Sequence, residues 1–439
     1  MDVILLARIK FFMTIAFHFV FPTITIGLAW LLVAAEWMGW KRKDPIYDQI
    51  GKFFGKLFGL TFALGVATGL VMVFQFGTNW SQYSRFVGDI FGAPLAAEAV
   101  FAFFMESTFL GLYLFGRQRV SRGVHVFSIF MVALGATISA FWIIVANSWM
   151  QTPAGYVLAN GRAELVDFWA ATFNPSTLPR FFHTLTATLI AGSFFMAGIA
   201  AYYLLKKPAD LFARKAMKLA VIFGVSVSLL QVFPFGHWHG RQVAETQPEK
   251  FAAIMGIYST ETSAPVVLFA VPFDKPPELK GRIQIPGLLS WLAFGDINAP
   301  IKGIDEFPRD EVPPLFLTFV SYHNMVALGM LFILLMGLAA FYLWKDTLWE
   351  KKWLLRAILW SIPLPVIASQ LGWIAAEVGR QPWIVYRLLR TEHAVSVNVL
   401  AETVLLVIIL FFILYAAMGF TYIYLVAKKV KEGPVSTGA

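Results

Sequence analysis

Residues 315–344 read LFLTFVSYHNMVALGMLFILLMGLAAFYLW, thirty positions without one charged side chain. At 1.5 Å of rise per residue such a run outreaches the roughly 30 Å of hydrocarbon in a bilayer. Working outward, apolar runs of similar length recur near 11–35, 54–76, 95–116, 124–146, 181–205, 217–235, 357–378 and 394–426. The pattern predicts an all-α integral membrane protein with nine transmembrane helices. Composition agrees, because 58% of the 439 residues are apolar, 14% are charged and 43 are Phe, too greasy for a soluble domain. The first apolar run lacks a basic leader and a small-residue cleavage site, so it is expected to stay as a helix. No strong internal repeat is visible, which argues against an inverted-repeat transporter.

Basic residues orient the bundle. Twenty of the 35 Lys and Arg fall in every second short loop, among them Lys41, Arg42, Arg117, Arg122, Lys206, Lys352 and Lys428. Seven of the others lie in one long segment, 236–313, which the positive-inside rule discounts. The N-terminus is therefore expected outside and the C-terminus in the cytoplasm. The net charge of +9 then needs no nucleic acid, since basic loops sit against an anionic lipid leaflet. The expected division is helices 1–6 over 1–235, an extracytoplasmic loop over 236–313, and helices 7–9 with a tail over 314–439. Prolines such as Pro276, Pro277, Pro313 and Pro314 keep the loop from being one long helix. A connection of that length is functional or a plain linker.

Five of the apolar segments carry an unusual polar residue near their predicted outer ends: His18, Glu98, His183, Met325 and Glu377. Ionisable groups in a bilayer cost a few kcal/mol each, so they mark ion, proton or cofactor work. With no Cys anywhere, disulfides, thiolate-held iron–sulfur clusters, thiolate-ligated heme and covalently attached heme are excluded. Imidazole and thioether remain as axial heme ligands. A His/Met pair makes a low-spin, electron-carrying heme, and a single protein ligand leaves one face open to O₂. His183 with Met325 suits the first and His18 the second, although spacing alone does not single Met325 out of 14 methionines, and a lone buried His is as often a packed hydrogen-bonding residue. Glu98 and Glu106, eight apart and so about 12 Å along one helix, suit a proton relay; a structural ion pair with an arginine such as Arg8 is the bland alternative.

The segment Gly372-Trp373-Ile374-Ala375-Ala376-Glu377-Val378-Gly379-Arg380-Gln381-Pro382-Trp383 resembles the G-W-x-x-x-E-x-G-R-Q-P-W signature of subunit I of the cytochrome bd-type quinol oxidases. So do the opening M-D-V-x-L-L-A-R with His18 ten residues after Arg8, the run Phe104 to Phe109 around Glu106, Asn147-Ser148-Trp149-Met150-Gln151, and Met325 to Gly329. These matches run in order from residue 1 to beyond 400. The resemblance implies two hemes b and one heme d, or b-type hemes alone. His183 and Met325 would hold the low-spin heme b. His18 and Glu377 would serve the two high-spin hemes in an order left open, with Glu98 beside them. Trp373 would stand between hemes, Arg8 and Arg380 would offset propionate or ligand charge, and Asn147, Glu98 and Glu106 would shape heme surroundings and proton delivery. The loop would bind quinol, ubiquinol or menaquinol, at the outer face of a bacterial plasma membrane. A second membrane subunit, and small single-helix ones, would complete the complex.

Two departures stand out. The family has Glu five residues after the loop Lys; here Lys250 is followed at that spacing by Met255. His237 and His239, or Glu245, Glu249 and Glu261, are the substitutes within reach. Two residues before the ligating Met the family has Arg, and here it is His323. The reaction expected is quinol oxidation outside and reduction of O₂ to water with protons from inside, a gradient built without pumping. A heme-free proton or ion transporter is the rival reading from the residues.

Overall fold

A computed structural model describes residues 2–274 and 277–434. Eight helices are long and apolar enough to span a membrane: α1 (Val3–Arg42), α2 (Pro45–Thr78), α3 (Ser81–Phe115), α4 (Arg122–Gln151), α5 (Thr177–Lys206), a sixth that runs as α6 (Leu211–Leu230) through a π-helical turn (Gln231–Gly236) into α7 (His237–Thr246), α10 (Leu315–Trp344) and α13 (Ala401–Glu432). A ninth is bent by 43° between α11 (Lys352–Trp360) and α12 (Leu364–Val378). Pro363 and Pro365 stand at the break, where a missing N–H and a ring clash end the first piece. Between α7 and α10 lie two further short helices, α8 (Pro248–Met255) and α9 (Leu288–Phe294).

Side chains and a proline fix where several of these helices start. Asp2, Asp44, Ser121 and Asp210 each accept a hydrogen bond from a backbone N–H of the first turn, and Pro45 occupies the first position of α2. The helices overrun the predicted spans, however. α1 begins at residue 3 rather than near 11, and α3 at 81 rather than 95, because polar residues such as Lys10, Arg85 and Asp89 belong to the same helices beyond their apolar runs. Residues 237–246, expected in the loop, continue the sixth span.

The bundle core is built from α1, α2, α5 and α6, with Leu28, Leu32, Phe54, Phe58, Phe194 and Met217 fully buried. Gly27 and Gly192 bring α1 and α5 into backbone contact: a Cβ at Gly192 would stand 2.3 Å from the Gly27 carbonyl carbon. Small residues are what permit such an approach in a membrane. α13 shows Leu406, Phe412, Ile413, Phe420 and Ile423 on its exposed face, a surface suited to lipid or a neighbouring helix.

The long connection is folded. Antiparallel strands β1 (Val266–Asp274) and β2 (Pro277–Ile285) form a hairpin, and α8, α9 and the end of α7 close on Phe251, Ile254, Met255, Leu289 and Ile301. The predicted breaker Pro276 lies outside the described residues. We call the side of the bundle carrying this segment the loop end, and the opposite side the far end.

Candidate functional site

Near the C-terminal end of α12, Glu377 gathers a buried polar network. Arg380, one turn on, pairs with one carboxylate oxygen. Asn147 Nδ2 and Gln151 Nε2, successive turns of α4, each donate to the other at 3.1 Å. Arg180, at the start of α5, donates to Asn147 Oδ1 and stands 4.0 Å from the carboxylate. Lys250 of α8 donates through Nζ to Gln151 Oε1 at 2.8 Å, which joins the folded loop to the Glu377 network through one side chain. Lys250 is 4% exposed; burial, chiefly, holds its ammonium well below the ordinary lysine range, Arg180 adds to that effect and Glu377 opposes it. Buried beside Glu377, the Nε of Arg180 and the Nε and Nη1 of Arg380 have no acceptor. Three unanswered guanidinium N–H groups in one buried place call for an anion.

His18 is held by a partner that leaves one ring nitrogen available. Thr68 Oγ1 donates to the Leu64 carbonyl at 2.8 Å and lies 2.9 Å from His18 Nδ1. With its proton committed to that carbonyl, Thr68 accepts, so His18 carries its hydrogen on Nδ1 and presents Nε2 unprotonated. A Cβ at Gly69 would stand 3.2 Å from His18 Cε1. At His183 the amide of Gln231 faces the ring, its Nε2 at 3.2 and 3.3 Å from the two nitrogens, while Thr186 donates to its oxygen. The ring of His239 is 5.2 Å from that of His183, and His237 is exposed at the start of α7. Met325 Sδ would be 2.7 Å from a Cβ at Gly372, and the neighbouring Trp373 stacks at 6.1 Å on Phe19. His323 places Nδ1 2.9 Å from the Phe319 carbonyl and Nε2 3.0 Å from that of Val267, tying α10 to β1.

The two remaining carboxylates lie deeper. Ser139 donates to Glu98 at 2.7 Å, and a Cβ at Gly135 would touch Glu106 Cβ at 3.1 Å. Counted along α4 from Asn147, which meets Glu377, these contacts fall about 12 Å and then about 6 Å further from the loop end. The expectation that five residues share one depth is thereby corrected. Glu98 does not open its helix; it sits in the π-helical turn Glu98–Phe103 in the middle of α3. His18 lies about 22 Å along α1 from Val3, because the helix starts earlier than its apolar run. Arg8 is exposed on α1 and makes no ion pair with either acid among the described residues, and the buried cation two residues on is Lys10, bonded to Asn79. Arg180, Thr68 and Gln231 carried no signal of their own in the sequence, and Gln151 was visible only as the last residue of the Asn147–Gln151 motif. Among the described residues no three His, Cys, Asp or Glu side chains gather as a bare-ion site.

Comparison with known proteins follows this geometry. The family described as cytochrome bd terminal oxidase subunit I matches residues 6–434. The chain is 40% identical to the cytochrome bd ubiquinol oxidase subunit 1 of Bacillus subtilis (strain 168), over 99% of this chain and 94% of that protein. It is 34% identical to the cytochrome bd-II ubiquinol oxidase subunit 1 of Escherichia coli (strain K12), covering 99% and 97%. The solved bd oxidase of Geobacillus thermodenitrificans superposes with a TM-score of 0.91 at 32% identity, covering 99% of both chains. The chain belongs to the cytochrome bd terminal oxidase subunit I family.

Proposed function

We propose, from that membership, that this chain is the heme-bearing subunit of a membrane quinol oxidase which takes electrons from quinol at the loop end and reduces O₂ to water with protons drawn from the far end. The relatives' names supply quinol and oxidase; the observation that carries the reading to this chain is the Glu377 network, where a buried carboxylate, three acceptor-less guanidinium N–H groups and a loop lysine meet. Heme fits the residues present. His18 offers an oriented Nε2 with glycine against its ring, His183 and Met325 offer imidazole and thioether, and Glu377 offers a carboxylate. Arg180 and Arg380 supply N–H groups suited to propionates.

We assign His183 and Met325 to a low-spin heme b, and His18 and Glu377 to two high-spin hemes, a second b and a d. Bound there, these groups would supply one-electron transfer and the open iron at which O₂ is reduced. The protein's own part is orientation and proton handling. Thr68 fixes the tautomer of His18, Gln231 orients His183, and Trp373 fills the space between α1 and α12. Glu98 and Glu106, stepped along α3, carry protons from the far end, and Ser139 holds the Glu98 carboxylate. Lys250 receives the quinol head group, with His237 and His239 on the preceding helix. The basic loops place the far end in the cytoplasm and the loop end outside a bacterial plasma membrane. A second membrane subunit, with small single-helix ones, completes the enzyme, and no nucleic acid takes part.

A visible spectrum and pyridine haemochrome of the purified complex test the assignment. Both b and d signals are expected. Met325→Leu keeps the side-chain volume and removes the sulfur, so the low-spin b signal should turn high-spin or fall sharply in potential. An unchanged low-spin band would take Met325 out of the ligand set, a b-only spectrum would remove heme d, and a preparation free of iron would sink the reading.

A further inference from the structure

We propose that Glu249 is the base that takes the hydroxyl protons of quinol, standing in for the carboxylate that Met255 has displaced. This rests on reading Lys250 and its segment as the quinol site. Met255 is packed with Val243, Phe251, Ile254 and Leu289 in the apolar cluster of the loop, so its position is committed to packing and an acid there would be buried without a partner. Glu249, next to Lys250 on α8, is 4% exposed, and neither of its oxygens has a hydrogen-bond partner of good geometry. The charge nearest to it is the Arg387 guanidinium at 3.9 Å, whose side chain is 56% exposed, and the Tyr386 hydroxyl lies beside it. A carboxylate buried in this way costs stability, and a structural role would have supplied it with donors.

The other carboxylates and imidazoles of the segment are placed differently. Glu245 makes an exposed pair with Arg241 at 2.9 Å. Glu261 is not buried, and its backbone is committed to a bridge with Ile301. His239 stands beside His183 and His237 faces outward. Among the described residues of 236–313, Glu249 is the buried carboxylate. Helix α8 therefore presents a cation, Lys250, to Gln151 and through it to Glu377, and one residue earlier an anion, Glu249, that faces the Tyr386 hydroxyl and the exposed Arg387 guanidinium.

The step balances as follows. A quinol O–H breaks, its proton goes to a Glu249 oxygen, and one electron goes to the heme-iron acceptor of the oxidase reaction. Glu249 releases the proton to water past the exposed Arg387. The second O–H and second electron leave the same way, and quinone departs.

The test uses the purified complex with three variants, Glu249→Gln, Lys250→Met and the double change His237→Gln with His239→Gln. Each is assayed with quinol and with a proton-free one-electron donor, and each is titrated with a quinone-analogue inhibitor followed by tryptophan fluorescence. For Glu249→Gln a fall in quinol kcat of about 100-fold is expected, as for loss of a general base, with the acid limb of its pH profile flattened. Inhibitor affinity should hold within about twofold, the donor-driven rate serving as control for intact hemes, and Glu249→Asp should restore part of kcat. Full quinol turnover in Glu249→Gln, equal loss with both donors, or a flattened profile only in the histidine pair overturns the proposal. Lys250→Met that binds the inhibitor as tightly as the unaltered protein overturns instead the reading of the site on which it rests.

Discussion

Thr68 decides which nitrogen of His18 is free. Its hydroxyl has a single proton and spends it on the Leu64 carbonyl, so the imidazole must donate to it from Nδ1. Thr68→Val keeps the shape and removes the acceptor. The ring then loses its orientation, and occupancy of the high-spin heme proposed at His18 should fall by about 10–100-fold in affinity, the usual effect of losing a partner behind a metal-binding imidazole. Haemochrome titration against added heme measures it; unaltered occupancy and an unaltered high-spin electron paramagnetic resonance signal would mean that Thr68 only packs. At this scale the sequence was uneven. His18, His183 and Glu377 were legible because an ionisable group in an apolar run is conspicuous. Thr68, Gln231 and Arg180 were not, because each matters through a contact across 33 to 50 positions of chain and looks ordinary beside its own neighbours. Met325 was legible through resemblance alone.

Among the elements, hydropathy located every span and misjudged most ends. A transfer scale sees hydrocarbon, whereas a helix continues as long as its backbone is satisfied, so α1 and α3 extend through Lys10 and Asp89, and the sixth span runs on to Thr246. The same argument explains why Glu98 proved to be central rather than terminal. Far from the loop end, the helices are joined by a buried charge that the sequence did not announce. Glu36 of α1 is fully buried, pairs with Arg117, lies 3.9 Å from Arg122 and 3.7 Å from His125 Nδ1, and accepts from the Tyr113 hydroxyl at 3.2 Å. It thus fastens α1 to α3, to the 116–121 turn and to α4. Glu36→Ala leaves two arginines facing each other around a cavity, and removing one member of a buried pair costs about 3–5 kcal/mol. A clear drop in thermal midpoint in detergent is expected, with heme content unchanged at low temperature. An unshifted midpoint would show that water already screens the cluster.

For the molecule as a whole, the geometry sets apart along the bundle the two groups of residues proposed to handle protons. Lys250 and Glu249 stand at the loop end, with Gln151 bridging Lys250 to Glu377, while Glu98 and Glu106 step along α4 about 12 and 18 Å from Asn147 toward the far end. Most short-loop lysines and arginines also lie at the far end, which the positive-inside rule puts in the cytoplasm. A fluorescent protein fused after Glu432 should therefore glow, and alkaline phosphatase fused there should be inactive; the reverse pair would invert the orientation. Given that orientation, protons released on quinol oxidation and protons consumed in making water belong to opposite sides, and a change at one end should be separable from a change at the other. Glu106→Gln is expected to slow O₂ reduction by about 10–100-fold with quinol and with a proton-free donor alike, since in the proposed mechanism both draw protons along α3. The hemes should accumulate in their reduced form during turnover, because electrons still arrive. Reconstituted vesicles read by an internal pH dye distinguish the two ends: Glu106→Gln should slow alkalinisation of the compartment facing the far end by the same factor, while a single turnover still acidifies the loop side promptly. Loss of the quinol-driven rate alone would place Glu106 on the electron-entry side and contradict the ladder that Asn147, Ser139 and Gly135 mark out on α4.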